Sequence, residues 1–245
     1  MHHVPEIVDL KVPDGEMSTF NYKPDGNGQS PAVIVIQEIF GVNSHIQDVA
    51  HRFAEQGYYA VAPDLFHRSG RHVVIEYANA QEGMGLRGQI SDEGLEADLN
   101  AVVEHLKNQP DVDSSKIGIV GFCFGGRVAF YGSVKISGIT ASAVYYGGGI
   151  VTREGSPAGT PNLLDHAENA TPMIAFFGDQ DQGIPVEHVK EIEGTLNRLG
   201  KDAEVILYEG AGHGFFCDER GSYHETSAKD AWVKTLEFFG KHLNG

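Results

Sequence analysis

Apolar and polar residues alternate from Glu6 to Val12 and again from Met17 to Tyr22, about the turn Pro13-Asp14-Gly15-Glu16. A period of two on either side of a turn predicts an antiparallel hairpin with one face exposed, placed at one edge of a sheet. After Pro24-Asp25-Gly26-Asn27-Gly28 the pattern changes. Pro31-Ala32-Val33-Ile34-Val35-Ile36 is an unbroken apolar run, which suits a strand covered on both faces. Asn43 or Ser44 then caps a helix that runs to about Glu55 and stops at Gly57. Tyr58 to Ala62 predicts the next strand, closed by Pro63-Asp64, where Asp64 reads as a turn or cap residue. From Phe66 to Gly88 the periodicity is weak and predicts a loop with a short helix near Val74 to Gln81.

Ser91, followed by Asp92 and Glu93, starts a helix whose apolar positions Leu95, Leu99, Val102, Val103 and Leu106 recur at helical spacing. A loop from Pro110 to Ser114 leads into the strand Lys116 to Val120. Further on, Thr140 to Tyr146, Pro172 to Phe177 and Ala203 to Tyr208 predict strands. Between and after them, Val186 to Leu199 and Glu225 to Leu243 predict helices, the last with Trp232, Val233, Leu236 and Phe239 on one face. Strands and helices alternate from Ala32 onward. That order implies an α/β chain with a mostly parallel central sheet and helices on both faces, in which loops after the strand ends converge at one edge. At 245 residues, with no composition shift that marks a boundary, the expectation is one α/β domain spanning residues 1–245.

Charge narrows the function. The chain has 18 lysines and arginines against 34 aspartates and glutamates, a formal net charge of -16, which repels nucleic acid and anionic membrane. No apolar run approaches the ~18 residues of a membrane span, and Met1-His2-His3-Val4-Pro5 lacks the regions of a signal peptide, so a cytoplasmic location is expected. Gly147-Gly148-Gly149 lacks the partners of a P-loop or a dinucleotide fingerprint and reads as a loop. It opens a connection through Pro157, Gly159 and Pro161 to Thr171 that is long enough to belong to a binding site. Two cysteines, Cys123 and Cys217, are too few for a disulfide framework and lack zinc spacing. Neither a metal nor an organic cofactor is expected, and the chain is expected to be a monomer or small homo-oligomer.

The chemistry centres on Gly121-Phe122-Cys123-Phe124-Gly125-Gly126, set between a buried strand and a helix. A nucleophile perched on a strand-to-helix turn needs glycines two residues before and two after it, because no side chain fits there. Gly121 and Gly125 hold those positions, so the motif is G-x-S-x-G with sulfur for oxygen. The Phe124 amide would then face the oxygen of a reacting carbonyl, and the loop after the strand ending at Ile36 supplies a second donor, the Ile39 amide. On its own the motif also fits a buried cysteine that packs a helix on a strand.

Context decides between the two. An acid after the penultimate strand and a histidine after the last give the chain order nucleophile, acid, histidine, which is the order of α/β hydrolases. The acid is Asp181, with Asp179 in reserve. The base is His213, whose neighbours Gly212 and Gly214 leave its ring room, and His224 is the substitute. The other histidines fall in predicted helices or unpatterned loops and read as surface residues. A carboxylate fixes the histidine tautomer so that the other ring nitrogen faces the sulfur. Glu38, at the end of a buried strand, reads on these grounds as a salt-bridge or loop residue.

Taken together, Gln37-Glu38-Ile39-Phe40-Gly41, the elbow, Asp181 before Ile184-Pro185, and Gly212-His213-Gly214-Phe215 resemble the dienelactone hydrolase family over nearly the whole chain. The resemblance implies an α/β-hydrolase fold and a triad of Cys123, His213 and Asp181, with Glu38 paired to the resting thiol and helping to deprotonate it once substrate binds. A helix N-terminus favours a thiolate and a nearby carboxylate opposes it, which gives such a pairing a physical rationale. Family members that hydrolyse dienelactone carry an arginine four residues after the histidine, where this chain has Cys217. Arg220 lies nearby, and Arg68, Arg71 and Arg87 lie in the region that supplies another family arginine, so these four are the candidates to hold a substrate carboxylate. Cys217 reads as a buried spectator or a disulfide partner for Cys123. The expected function is hydrolysis of a small ester or lactone, carboxymethylenebutenolidase-like, through a thioester on Cys123. The alternative is a non-catalytic small-molecule-binding or interaction module on the same scaffold.

Overall fold

A computed structural model of the chain describes residues 4–26, 28–152 and 161–244. The chain divides into two compact units. The first runs to Ile119 and takes in Ile136–Ile139, and the second comprises Val120–Lys135 and the chain from Thr140.

In the first unit the strand order is β1-β2-β4-β3. The hairpin of β1 (Glu6–Val12) and β2 (Gly15–Tyr22) forms as the alternation predicts, with Val12 opposite Gly15. β2 pairs antiparallel with β4 (Tyr59–Pro63), which pairs in parallel with β3 (Ser30–Ile36). Residues 32–36 of β3 are fully buried, as an unbroken apolar run requires. Helix α1 (Ser44–Glu55) is capped by the Asn43 side chain, which accepts from the Ile46 amide at 3.2 Å. Helix α3 (Asp92–Lys107) is capped by Ser91, accepting from the Gly94 amide at 3.0 Å.

Two elements depart from the pattern. The strand β5 (Val112–Phe122) starts within the stretch that reads as a loop, because Ser115 bonds locally to Asp113 and gives a strand a turn-like composition. The short helix lies later than expected. Ile75 lies outside any helix and its amide donates to the Phe40 carbonyl at 3.1 Å, a 3-10 turn covers Tyr77–Asn79, and α2 follows at Ala80–Arg87. With Gly83 and Gly85 inside it, α2 carries little apolar periodicity for a sequence reading to find.

β5 runs from the first unit into the second, where its end lies beside β6 (Ile139–Tyr145), followed by β7 (Met173–Gly178) and β8 (Ala203–Tyr208). β6, β7 and β8 are parallel, with Tyr145 beside Phe176 and Phe177 beside Leu207. Helix α4 (Phe124–Lys135) is buried from Phe124 to Val134, which explains its lack of a polar face. α5 (Val186–Arg198) and α6 (Glu225–Leu243) complete the unit.

The buried face of α6 differs from the expected one. It consists of Ser227, Ala228, Ala231, Thr235, Phe239 and Leu243, while Val233 is exposed. Small residues let the helix approach closely, and the Thr235 hydroxyl lies 2.7 Å from the Tyr145 hydroxyl, so a polar residue faces inward where a hydrophobicity pattern would turn it out. In the connection after β6, a 3-10 helix covers Leu163–Asn169, and Pro157 and Gly159 lie outside the described residues. Gly147 is a packing glycine: a Cβ there would lie 2.8 Å from the Gly126 carbonyl carbon. Among the described residues, no helix is long and apolar enough to cross a membrane.

Candidate active site

The strand β5 ends at Phe122 and α4 begins at Phe124, leaving Cys123 alone in the turn. Its φ is 57°, a left-handed conformation rare outside glycine, and its amide donates to the Tyr145 carbonyl at 3.1 Å. Gly121 and Gly126 are there because nothing else fits. A Cβ on Gly121 would fall on the Gly125 carbonyl, and one on Gly126 would strike the Tyr145 carbonyl. The turn therefore stores strain to hold the sulfur at the N-terminus of α4, where the helix dipole favours negative charge.

His213 meets that sulfur. Its Nε2 lies 3.0 Å from Cys123 Sγ and its Nδ1 lies 2.7 Å from Asp181 Oδ2. The other Asp181 oxygen accepts from the amides of Gly183 at 2.8 Å and Ile184 at 3.2 Å, so the carboxylate is held on both sides and its side chain is 0% exposed. The His213 side chain is 32% exposed, leaving one face of the ring open. Burial works against a charged imidazole here, but the Asp181 and Cys123 hydrogen bonds and charges outweigh it and raise His213 to about 10. Below the ring, Tyr146 packs at 5.3 Å between centroids, nearly edge to face, and is itself fully buried with φ 37°.

The sequence model of the dienelactone hydrolase family matches residues 17–243. The chain belongs to the dienelactone hydrolase family. A Synechocystis sp. protein named "Putative carboxymethylenebutenolidase" is 36% identical over 245 residues, covering 96% of this chain and 99% of its own. A Bradyrhizobium sp. protein named "Probable 2-oxo-3-(5-oxofuran-2-ylidene)propanoate lactonase" is 30% identical over 225 residues, covering 91% of this chain and 88% of its own. The crystal structure named "Putative Dienelactone Hydrolase" from Klebsiella pneumoniae superposes with a TM-score of 0.85 at 30% identity, covering 97% of this chain and 99% of that one. The chain thus has the α/β-hydrolase fold with its mostly parallel sheet, and it is a hydrolase of ester or lactone substrates rather than a binding module.

Of the residues read from the sequence, Cys123, Phe124, Asp181 and His213 come together in the second unit. The reserve residues do other work. Asp179 Oδ1 accepts from the Gly210 amide at 2.8 Å, and His224 Nδ1 lies 2.8 Å from Ser227 Oγ at the start of α6. Glu38 and Ile39 belong to the first unit, where Glu38 is 1% exposed and bridges to Gly41. Their loop is braced within that unit. Gln37 Oε1 accepts from the Leu65 amide at 3.1 Å, Phe40 packs on Tyr77 at 4.8 Å, and the chain at Gly41 passes so close to the Val73 carbonyl that a Cβ would collide with it.

The arginines separate. Arg68 forks onto two carboxylates, with Nη2 3.0 Å from Asp14 Oδ1 and Nη1 2.6 Å from the fully buried Asp98, so its guanidinium is committed to the fold of the first unit. Arg71 makes an exposed pair with Asp9 at 2.9 Å, and Arg87 ends α2. Only Arg220 of the four lies in the second unit, with its guanidinium against the Cα of Gly214, where a Cβ would overlap it. Cys217 is fully buried, and neither cysteine is in a disulfide. Two further histidines depart from a surface reading: His45 is buried, and the His67 side chain, 3% exposed, lies 3.3 Å from Asp98.

The sequence reading missed Tyr146 as a neighbour of the histidine and Asp179 as a tether. Tyr146 had one signal, its place at the end of a buried strand directly before Gly147. Asp179 had none, because its partner is a backbone amide 31 residues away.

Proposed function

We propose that this enzyme, as one functional domain over the whole chain, cleaves small esters or lactones through a thioester on Cys123. His213 takes up the thiol proton, and the Cys123 sulfur attacks the carbonyl carbon. The tetrahedral oxyanion is held by the Phe124 amide and, on the family resemblance, by the Ile39 amide. His213 then delivers its proton to the leaving oxygen, and the C–O bond breaks to leave the acyl group on sulfur. A water deprotonated by His213 attacks the thioester, and the thiolate leaves. Asp181 keeps Nδ1 protonated throughout, so that Nε2 alone exchanges protons with the reactants. On the same resemblance, Glu38 is assigned to promote ionisation of the thiol when substrate arrives.

The observation that supports this reading is the run of two short contacts, sulfur to imidazole at 3.0 Å and imidazole to carboxylate at 2.7 Å, behind a cysteine held in a left-handed turn. Each oxyanion donor is worth about 2.7–4 kcal/mol of barrier. For the substrate carboxylate, Arg220 is favoured over Arg68, Arg71 and Arg87 by its place against Gly214, directly after the base. Hydrolysis of p-nitrophenyl acetate by wild type and Cys123→Ala tests the mechanism, with loss of turnover in the variant expected and equal rates refuting it. A panel of acidic and neutral lactones with Arg220→Ala tests the clamp: a rise in KM confined to the acidic substrates is expected, and an equal effect on both would remove Arg220 from the site.

A further inference from the structure

The loop that carries His213 has little intrinsic stiffness. Gly210, Gly212 and Gly214 alternate through it, and Gly210 and Gly214 adopt φ of 75° and 78°. A base on such a loop must be placed by bonds from outside it. Those that cross to the Asp181 loop come from the two residues directly before the acid, Asp179 and Gln180. The Asp179 amide donates to the Tyr208 carbonyl at 3.0 Å, and the Gln180 amide donates to the Ala211 carbonyl at 2.9 Å. The Asp179 carboxylate accepts from the Gly210 amide at 2.8 Å, and the same oxygen accepts from the Gln180 side chain at 3.1 Å. Gly178 completes the seam, since a Cβ there would run into the Ala211 carbonyl.

We propose that Asp179 is a positioning residue for the catalytic base: its carboxylate clamps the His213 loop to the Asp181 loop and thereby sets the spacing of the His213–Asp181 pair. The proposal rests on the triad reading given above. The physical case is one of leverage. Asp179 stands two residues before Asp181, and Gly210 three residues before His213, so one charge-assisted bond fixes both ends of a pair that must meet within hydrogen-bond range. The other ties across the seam are backbone bonds that any sequence could make. The Asp179 side chain is the element that a substitution can remove while the two strands and the elbow keep their own bonds.

Asp179→Ala is expected to lower kcat by about 10- to 100-fold, the range for a displacement of the order of 1 Å at a reacting centre, with KM little changed. The acidic limb of its pH profile is expected to move to lower pH, because His213 loses part of its hold on Asp181. Asp179→Asn keeps an oxygen for the Gly210 amide and is expected to restore most of the rate and the original limb. In an Asp181→Asn background, Asp179→Ala is expected to cost little more, since the pair whose spacing it sets has already been broken. A full and independent loss in that background would overturn the proposal. So would equal impairment of Asp179→Ala and Asp179→Asn with an unchanged pH profile, which is the mark of a lowered thermal midpoint and nothing more. Cys123→Ala run alongside separates the two failures: turnover surviving there refutes the triad reading, whereas additivity with Cys123→Ala inactive refutes the role of Asp179 alone.

Discussion

Replacing Asp181 with asparagine changes one oxygen to an NH2 group and leaves the volume of the site intact. Two backbone amides, those of Gly183 and Ile184, already point at Oδ1, so the asparagine oxygen stays with them and its NH2 group faces His213. A donor then meets Nδ1, which must give up its proton, and the proton moves to Nε2, the nitrogen that has to accept from Cys123. Losing a charge-assisted hydrogen bond costs about 1.5–3 kcal/mol, or roughly 10- to 150-fold in rate, and the wrong tautomer adds to that. The expected fall in kcat/KM is therefore about 100-fold or more. The pH profile carries a second signature. His213 is raised to about 10 partly by Asp181, so removing that carboxylate lowers it, and the acidic limb of kcat/KM, below which the ring is already protonated and cannot take the thiol proton, moves to lower pH. The sign follows from the ring's role as a base: it is protonated below its pKa and free to accept a proton above it, so a lower pKa extends the active window toward acid. Stopped-flow and steady-state hydrolysis of p-nitrophenyl acetate across pH, with a thermal melt to establish folding, measures both effects. A folded Asp181→Asn enzyme with the wild-type rate and an unmoved acidic limb would refute the reasoning.

Further perturbations probe the scaffold. Gly121→Ala places a methyl group on the Gly125 carbonyl, and overpacking of this kind costs about 1–3 kcal/mol, so a lowered denaturation midpoint and a disrupted burst are expected; wild-type values for both would contradict the elbow geometry. Arg68→Ala leaves the fully buried Asp98 without its cationic partner and is expected to destabilise the protein by about 3–5 kcal/mol in urea unfolding, with no selective loss of acidic substrates; a stable variant that had lost acidic substrates alone would return Arg68 to the substrate site. Tyr146→Phe keeps the ring beneath His213 and is expected to retain the rate, whereas Tyr146→Leu removes it and is expected to lower kcat; equal rates in the two variants would leave the ring without a role in holding the base.

Much of this was legible in the residues. The unbroken run of β3 and the Asn43 and Ser91 caps each follow from a local rule, whereas the meeting of Cys123, Asp181 and His213 follows from their chain order and from loops after parallel strands sharing one edge. The failures share a cause, which is tertiary context. α6 buries Ala231 and Thr235 because Tyr145 offers a hydroxyl partner and a close approach, and no periodicity of α6 alone encodes that. α2 begins late because Ile75 is drawn out to the Phe40 carbonyl. Arg68 is a reasonable substrate ligand by position, yet Asp14 and Asp98 claim it from two distant elements. Asp179 and Asp181 are nearly equivalent as a sequence, and only their partners separate them: the His213 ring and the amides of Gly183 and Ile184 for Asp181, the Gly210 amide for Asp179.

The covalent step is open to direct inspection. Rapid acid quench of the enzyme with a slow aryl ester, followed by intact-mass and peptide mass spectrometry, reports whether an acyl group resides on the protein and on which residue. One acyl group per chain is expected on the peptide containing Cys123, formed in the burst, lost during turnover and absent from an inactive Cys123→Ala variant. An unmodified chain at every time point, from an enzyme whose Cys123→Ala variant still hydrolyses the ester, would contradict the covalent step.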